Sequence, residues 1–168
     1  MQLRDAVAAF VAALDLQTNA VEALTATLRE RRLAFVAART ADTDAALAQL
    51  DADREAVEAA AARRDQAVTA LRAALRADAD ARVRQLIALL PSDLRPKAQR
   101  ALDRTTAAAR TLRVENAVGH RLLAFAQRTQ DALWQDVVAA AGGSNPGYDR
   151  NARALRGAAT GGWISGTA

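Results

Sequence analysis

The sequence predicts an all-α protein: an elongated antiparallel bundle of three long helices and one short helix, followed by a flexible C-terminal tail. Three observations lead to this fold class. Apolar residues recur at three- and four-residue steps over most of the chain, aromatic residues make up only 4% of it, and seven of the eight glycines lie at or after Gly142. The 168 residues therefore divide into a helical bundle, residues 1–141, and a tail, residues 142–168.

The first helix is predicted from a repeat of seven residues near the N-terminus. Its stripe of apolar residues consists of Val7, Leu14, Val21, Leu28 and Phe35, with Leu3, Phe10 and Leu24 at the companion position. One stripe of this kind is typical of an amphipathic helix. In the segment ARTADTD, Thr40, Asp42 and Thr43 offer side-chain oxygens that can cap a new helix, so the chain is expected to turn back there.

The second helix is predicted from residue 44 onward. Its apolar positions are Leu47, Leu50, Val57, Ala61, Val68, Leu71 and Leu75. Charged residues such as Asp53 and Glu55 are expected on the remaining faces. The stripe changes phase after Leu75, which predicts a kink or a break near Asp78–Asp80 and then a short helix that ends before Pro91.

The last long helix is predicted to follow the turn PSDLRPKAQR, with Pro96 at a first helical position. Its two seams are Leu102, Ala109, Asn116, Leu123 and Val137, and Leu112, Gly119, Ala126, Leu133 and Ala140. Gly142 and Gly143 predict its end. Asn116 is either a buried polar residue that fixes the helix register or, with Gly119, part of a place where a partner helix docks.

The charges indicate how the helices are arranged. Residues 40–80 carry five basic against nine acidic side chains, and residues 81–141 carry ten against five. This difference suits antiparallel neighbours in one bundle. The chain contains no cysteine, which excludes a disulfide framework, a thiolate metal site and a cysteine nucleophile.

Catalysis and nucleic-acid binding are not expected. His120 is the only histidine, the sequence predicts no catalytic or metal-binding partners near it, and no glycine-rich phosphate loop precedes the tail. Basic residues from Arg95 to Arg113 could line a stripe for phosphates, but Asp93 and Asp103 interrupt it and no aromatic residue lies among them to stack a base. We therefore expect no enzyme activity, no cofactor and no metal.

The sequence also predicts a cytoplasmic protein without stable membrane insertion. The apolar stretch from Ala6 to Leu14 is shorter than the roughly 20 residues that span a bilayer. Apolar spacing continues past Asp15 without a site for signal cleavage. One alternative function remains open, in which amphipathic helices form a coat, or a structural coiled coil, on a lipid or polymer granule.

Several segments resemble the FlgN family of flagellar type III export chaperones. They are LRERRLAFVAARTADTDAALAQLDADREAVE, LIALLP before the last helix, VENAVGHRLLAFAQRTQDAL and a tail that carries a tyrosine. The resemblance implies a cytoplasmic chaperone without a cofactor that binds the C-terminal segments of hook-associated (hook–filament junction) proteins. Such a chaperone prevents their premature assembly and delivers them to the export gate.

The candidate partner-binding residues lie on the last helix and in the tail. They are Asn116, Gly119, Leu123, Tyr148, Leu155, Trp163 and Ile164. Large apolar side chains in a segment rich in glycine contribute strongly once a partner buries them. The resemblance implies that the tail contacts substrate or export machinery and carries over Tyr148, although Ala152 stands where family tails often have glycine. Substrate docking on the last helix, on the tail or on both remains open, as does a disordered terminus with incidental aromatic residues.

Overall fold

The computed structural model describes residues 2–37 and 40–140, and it describes the side chains of these residues except those of residues 40–46 and 140. It contains α1 (Leu3–Val36), α2 (Thr40–Leu75), α3 (Val83–Ala88) and α4 (Arg95–Ala140), and no strand occurs among the described residues. The predicted all-α fold with three long helices and one short helix is confirmed. The predictions for residues 141–168, including the end of the last helix at Gly142, lie outside the described residues.

Internal contacts divide the chain into two units, Met1–Arg121 and Leu122–Ala168. Within the first unit, α1, α2 and α4 run up, down and up. Thr27 of α1 bonds Asp53 of α2 while Gln17 bonds Arg64, so these two helices are antiparallel. Thr18 of α1 bonds Thr105 of α4, and Arg32 bonds Glu115. Residue numbers thus increase together along the two helices, so α4 runs in the same direction as α1. The short α3 lies in the connection between α2 and α4.

The hydrophobic core of the first unit lies where α1, α2, α3 and the start of α4 meet. Its fully buried large side chains are Phe10, Leu14, Leu71, Leu86, Ile87 and Leu90. Each contributes roughly 1.5–3 kcal/mol through its removal from water. The fully buried core residues from α4 are Ala98 and Ala101, and the half-buried Leu102 packs against the same core.

The predicted break in the second helix occurs at residues 76–82. Arg76 has a positive φ of 50°, its N–H donates to the carbonyl of Ala73, and the N–H of Ala77 donates to the carbonyl of Arg72. These two bonds form a Schellman motif, which ends a helix by satisfying its last carbonyls. The motif usually contains glycine at the left-handed position, and this chain places arginine there. Asp78–Asp80 lie in the link that follows.

Side chains fix both ends of α3. The side-chain oxygen of Gln85 accepts a hydrogen bond from the N–H of Arg82 at 2.7 Å, at the start of this helix. At its other end, Nη2 of Arg95 donates to the carbonyls of Ala88 and Leu90, both at 2.9 Å. Carbonyl groups that the helix leaves without partners are thereby satisfied. The helix ends before Pro91, as predicted.

One of the two predicted seam positions of α4 is displaced by one residue, since Ala101, Ala108 and Glu115 are buried where Leu102, Ala109 and Asn116 were predicted, while Ala98 and Thr105 are in register with the predicted seam through Leu112. The buried side chains of α4 are Ala98, Ala101, Thr105, Ala108 and Glu115. The predicted members Leu102 and Ala109 are only half-buried, and Asn116 is exposed, so the prediction of a seam position for Asn116 is wrong. The hydrophobic pattern favours the larger leucines, whereas the residues of α4 that are actually buried are mostly small.

Predictions for α1 and α2 hold in the hydrophobic core and at Val21, and they fail at several other positions. Phe35 and Leu47 are exposed rather than buried, and Asp53 is buried although it was expected on a free face. In α1, a second stripe of small buried residues accounts for part of this difference. It consists of Ala6, Ala13, Thr27 and Ala34, which are spaced by multiples of seven. Contact through this stripe buries Ala34 in the last turn and leaves Phe35 outside.

Helix α1 is also long and apolar enough to cross a membrane, which the nine-residue stretch considered above is not. An 18-residue window within it has a mean hydropathy of 1.3, and 44% of that window is buried inside the protein. A core helix of a soluble protein meets the same criteria, so this finding is weak evidence for a membrane span.

Candidate partner-binding surfaces

The middle of α4 is held against α1 by a buried carboxylate. Glu115 is 8% exposed, and its Oε1 accepts a hydrogen bond from Nε of Arg32 at 2.5 Å. Its Oε2 lies 3.8 Å from Nε of Arg29. A buried charge requires such pairing, because an unpaired carboxylate at this depth is costly. This pairing explains why Glu115, and not its neighbour Asn116, occupies the buried seam.

A second buried carboxylate joins α1 to α2. Asp53 is 8% exposed and accepts hydrogen bonds from the Thr27 hydroxyl at 2.5 Å and from Nε2 of Gln49 at 2.9 Å. Sequence reasoning missed this contact, since an aspartate in a charged segment is usually solvated. The available signal was Thr27 itself, which lies in register with Ala6 and Ala13 on the stripe of small residues.

A pair of buried threonines joins α1 to α4. The hydroxyl oxygens of Thr18 and Thr105 lie 2.9 Å apart, and both residues are less than 9% exposed. Thr105 also contacts the carbonyl oxygens of Leu14, at 3.3 Å, and Ala101, at 3.0 Å. Thr18 follows Val11 by seven residues, a spacing that could have placed it on the buried stripe. The three polar contacts set the register of α1 against its neighbours.

One open groove in the first unit is lined by all four helices, and we call it the arginine-rimmed groove. Apolar residues line its interior, among them Leu14, Val68, Val83 and Leu102, and Arg64, Arg110 and Arg113 lie along its rim. Its volume is about 510 Å³. Leu102 and Ala109 of the predicted α4 seam are half-buried and line this groove, and Leu102 also packs against the edge of the core.

A second surface lies on α4 within the second unit. Leu123, Leu133, Trp134 and Val137 are exposed by 43%, 60%, 61% and 57%, and we call these four residues the distal stripe. Their pairwise separations are 1, 3, 4, 10, 11 and 14 residues, which at 3.6 residues per turn place all four within an arc of about 100° on one side of an α-helix. Phe125 is 63% exposed but lies outside this side of the helix. Large exposed apolar side chains grouped on one helix face are typical of an interaction surface.

The predicted binding residues that the structure describes do not form a single site. Asn116 is exposed, and a Cβ added to Gly119 would meet nothing within 4 Å. Gly119 therefore lies beside open space rather than a closely packed helix. Leu123 belongs to the distal stripe, whose larger members Leu133 and Trp134 were not singled out as binding residues. Tyr148, Leu155, Trp163 and Ile164 lie outside the described residues.

The described residues contain no group of three or more His, Cys, Asp or Glu side chains that could hold a metal ion. His120 is exposed on α4. Two features available for binding in this part of the chain are the arginine-rimmed groove and the distal stripe. Both combine helical spacing with apolar side chains, which suits a helical partner.

Comparison with known proteins assigns neither surface. No family model matches the chain, and no curated protein and no solved structure matches it significantly. The similarity to FlgN-like chaperones therefore rests on the sequence segments quoted above.

Proposed function

We propose that the protein is a FlgN-like export chaperone. It binds the C-terminal segments of hook-associated proteins in the cytoplasm, prevents their premature assembly and delivers them to the type III export gate. The proposal is supported by the resemblance of several segments to that family and by one structural observation. This observation is the distal stripe, four large apolar side chains that are 43% to 61% exposed on one side of the last helix.

The distal stripe has the spacing that a partner helix requires. Val137 follows Trp134 by three residues and Leu133 by four, which is the arrangement by which one amphipathic helix packs against another. Ala126 and Leu133 also continue the seven-residue spacing of Leu112 and Gly119 along the sequence of α4. Docking of a substrate helix would remove the stripe from water and cover the partner's own assembly surface. Such an interface can remain reversible, as delivery to an export apparatus requires.

The tail is proposed as a second contact. Tyr148, Leu155, Trp163 and Ile164 provide large apolar side chains in a segment rich in glycine. Burial of these residues on a substrate or on the export gate would add affinity. Because the tail follows α4 directly, its contacts and those of the distal stripe could bind one substrate together and increase the effective concentration of each site.

Isothermal titration against C-terminal fragments of the hook–filament junction proteins from the same genome tests this proposal. The informative variant is Leu133→Ser with Trp134→Ser, and its control is Phe125→Ser, which removes a side chain of similar exposure outside the distal stripe. We expect the double variant to weaken binding at least about tenfold, because each lost apolar contact is worth on the order of 1 kcal/mol or more. The control should remain within about twofold.

Truncation after Ala141 measures the contribution of the tail separately. Weaker binding by the truncated chain would support the tail as a second contact, and equal binding would restrict recognition to the helices. No binding of any fragment by the intact chain would contradict the proposal. In that case, flotation of the chain with liposomes, lost in the Leu133→Ser and Trp134→Ser variant, would favour the granule-coat alternative.

A further inference from the structure

We infer that the arginine-rimmed groove is a second docking site, which binds an acidic amphipathic helix. The groove belongs to the first unit, and its lining includes none of the residues of the distal stripe. The inference thus concerns a different surface from the one that carries the proposed function.

The lining of the groove suits one face of a helix. One wall is formed by Leu102, Thr106, Ala109, Arg110 and Arg113 of α4, which follow one another at three- and four-residue steps or lie side by side. At 1.5 Å per residue, the distance from Leu102 to Arg113 is about 16 Å along the helix axis, or roughly three turns. Val68 of α2 and Val83 of α3 supply apolar contacts on other walls. A partner helix of about three turns would match the length of this wall.

The rim is more basic than the fold requires. Other arginines serve the fold: Arg32 pairs with Glu115, Arg104 with Asp15, and Arg95 caps α3. By contrast, Arg110 and Arg113 are exposed and have no carboxylate within 4.0 Å among the residues whose side chains the structure describes. These two guanidinium groups are available to a ligand.

Charge decides which helix suits the groove. Arg64, Arg110 and Arg113 face a single acidic residue in the lining, Asp65, whose carboxylate is already bound by Arg64 at 2.6 Å. Guanidinium groups bind carboxylates with two parallel hydrogen bonds, so glutamates flanking an apolar stripe would match the rim while leucines enter the groove. The chain's own residues 142–168 do not match, since they carry three arginines against one aspartate.

The test uses the full chain and two labelled synthetic peptides of about 18 residues, long enough for a stable helix when stapled. Both peptides present the same leucine stripe, flanked by glutamates in one and by lysines in the other. Fluorescence anisotropy should give saturable binding of the glutamate peptide that weakens as salt is added, and much weaker binding of the lysine peptide. Failure of the intact chain to bind the glutamate peptide would overturn the inference.

Charge reversal locates the site. Arg110→Glu with Arg113→Glu should weaken binding of the glutamate peptide about tenfold and strengthen binding of the lysine peptide. The matched control, Arg63→Glu with Arg121→Glu, makes the same change in net charge at exposed arginines outside the groove and should leave both affinities within about twofold. Circular dichroism of each variant checks that the helices remain intact.

Two further outcomes would overturn the inference. Equal losses in the rim variant and the control would indicate attraction to the overall charge of the protein. Loss of glutamate-peptide binding in the Leu133→Ser and Trp134→Ser variant would place the peptide on the distal stripe. Retention of that binding, together with loss of hook-associated substrate, would show that the two surfaces act separately.

Discussion

The two parts of α4 differ in the size of the side chains that they bury and expose. In the first unit its buried seam consists of alanines, Thr105 and Glu115, and no large apolar side chain of α4 is fully buried there. In the second unit the large side chains Leu133, Trp134 and Val137 are more than half exposed. Small residues allow close packing against α1, while large exposed ones retain apolar surface that a partner can cover. The comparison teaches that hydrophobic size along α4 does not by itself indicate which residues are buried in the core.

The largest expected effect comes from enlarging the small seam. Ala101→Leu places three additional carbons where the alanine is only 1% exposed, and we expect a loss of about 1–3 kcal/mol in the free energy of unfolding. Denaturant unfolding followed by circular dichroism measures it. The control is Ala124→Leu, at an exposed position of the same helix. Equal stability of the two variants would mean that the seam of α4 does not depend on small side chains.

Removal of the buried charge of Glu115 tests the contribution of its ion pairs with α1 to stability. Glu115→Gln keeps the shape of the side chain but weakens its contacts with Arg32 and Arg29. Because Arg29 is more than half exposed, the expected loss is about 1–2 kcal/mol rather than the full cost of a deeply buried pair. Asp131→Asn, at an exposed site, is the control. A stability loss that disappears in high salt would indicate a solvated contact instead.

The hydroxyl contact between α1 and α4 should have a smaller effect. Thr105→Val preserves volume and removes the group that lies 2.9 Å from the hydroxyl of Thr18. We expect a loss of about 0.5–1 kcal/mol, because Thr18 retains its bond to the carbonyl of Leu14 at 2.9 Å. Thr111→Val, at an exposed position, should change the free energy of unfolding less. Thermal unfolding of both variants provides the comparison.

The smallest expected change in stability belongs to the distal stripe. Trp134→Ser removes a side chain that is 61% exposed, so the free energy of unfolding should change by less than about 0.5 kcal/mol. The same substitution is expected to reduce substrate affinity. A loss of stability larger than that of Glu115→Gln would show that Trp134 supports the fold and would contradict its assignment as a binding residue.

The sequence predicts the helices better than it predicts their contacts. Repeating Val7, Leu14 and Val21 were enough to identify α1, and the phase change after Leu75 located the break before α3. The seam of α4 could not be predicted in the same way. Alanine occurs on buried and exposed helix faces alike, so the larger Leu102 was chosen as the seam residue instead of the neighbouring Ala101. Contacts with residues distant in sequence determine other buried positions. Glu115 is buried because it pairs with Arg32, and two residues 83 positions apart leave no local sequence pattern.

Hydrogen exchange along α4, measured with and without a C-terminal fragment of a hook-associated protein, tests the central claim most directly. If the distal stripe receives the substrate helix, amides of residues 122–140 should exchange more slowly in the complex, while those of residues 98–115, already packed on α1, should change little. Binding of the fragment with no slowing in residues 122–140 would contradict the claim that this part of α4 is the docking surface.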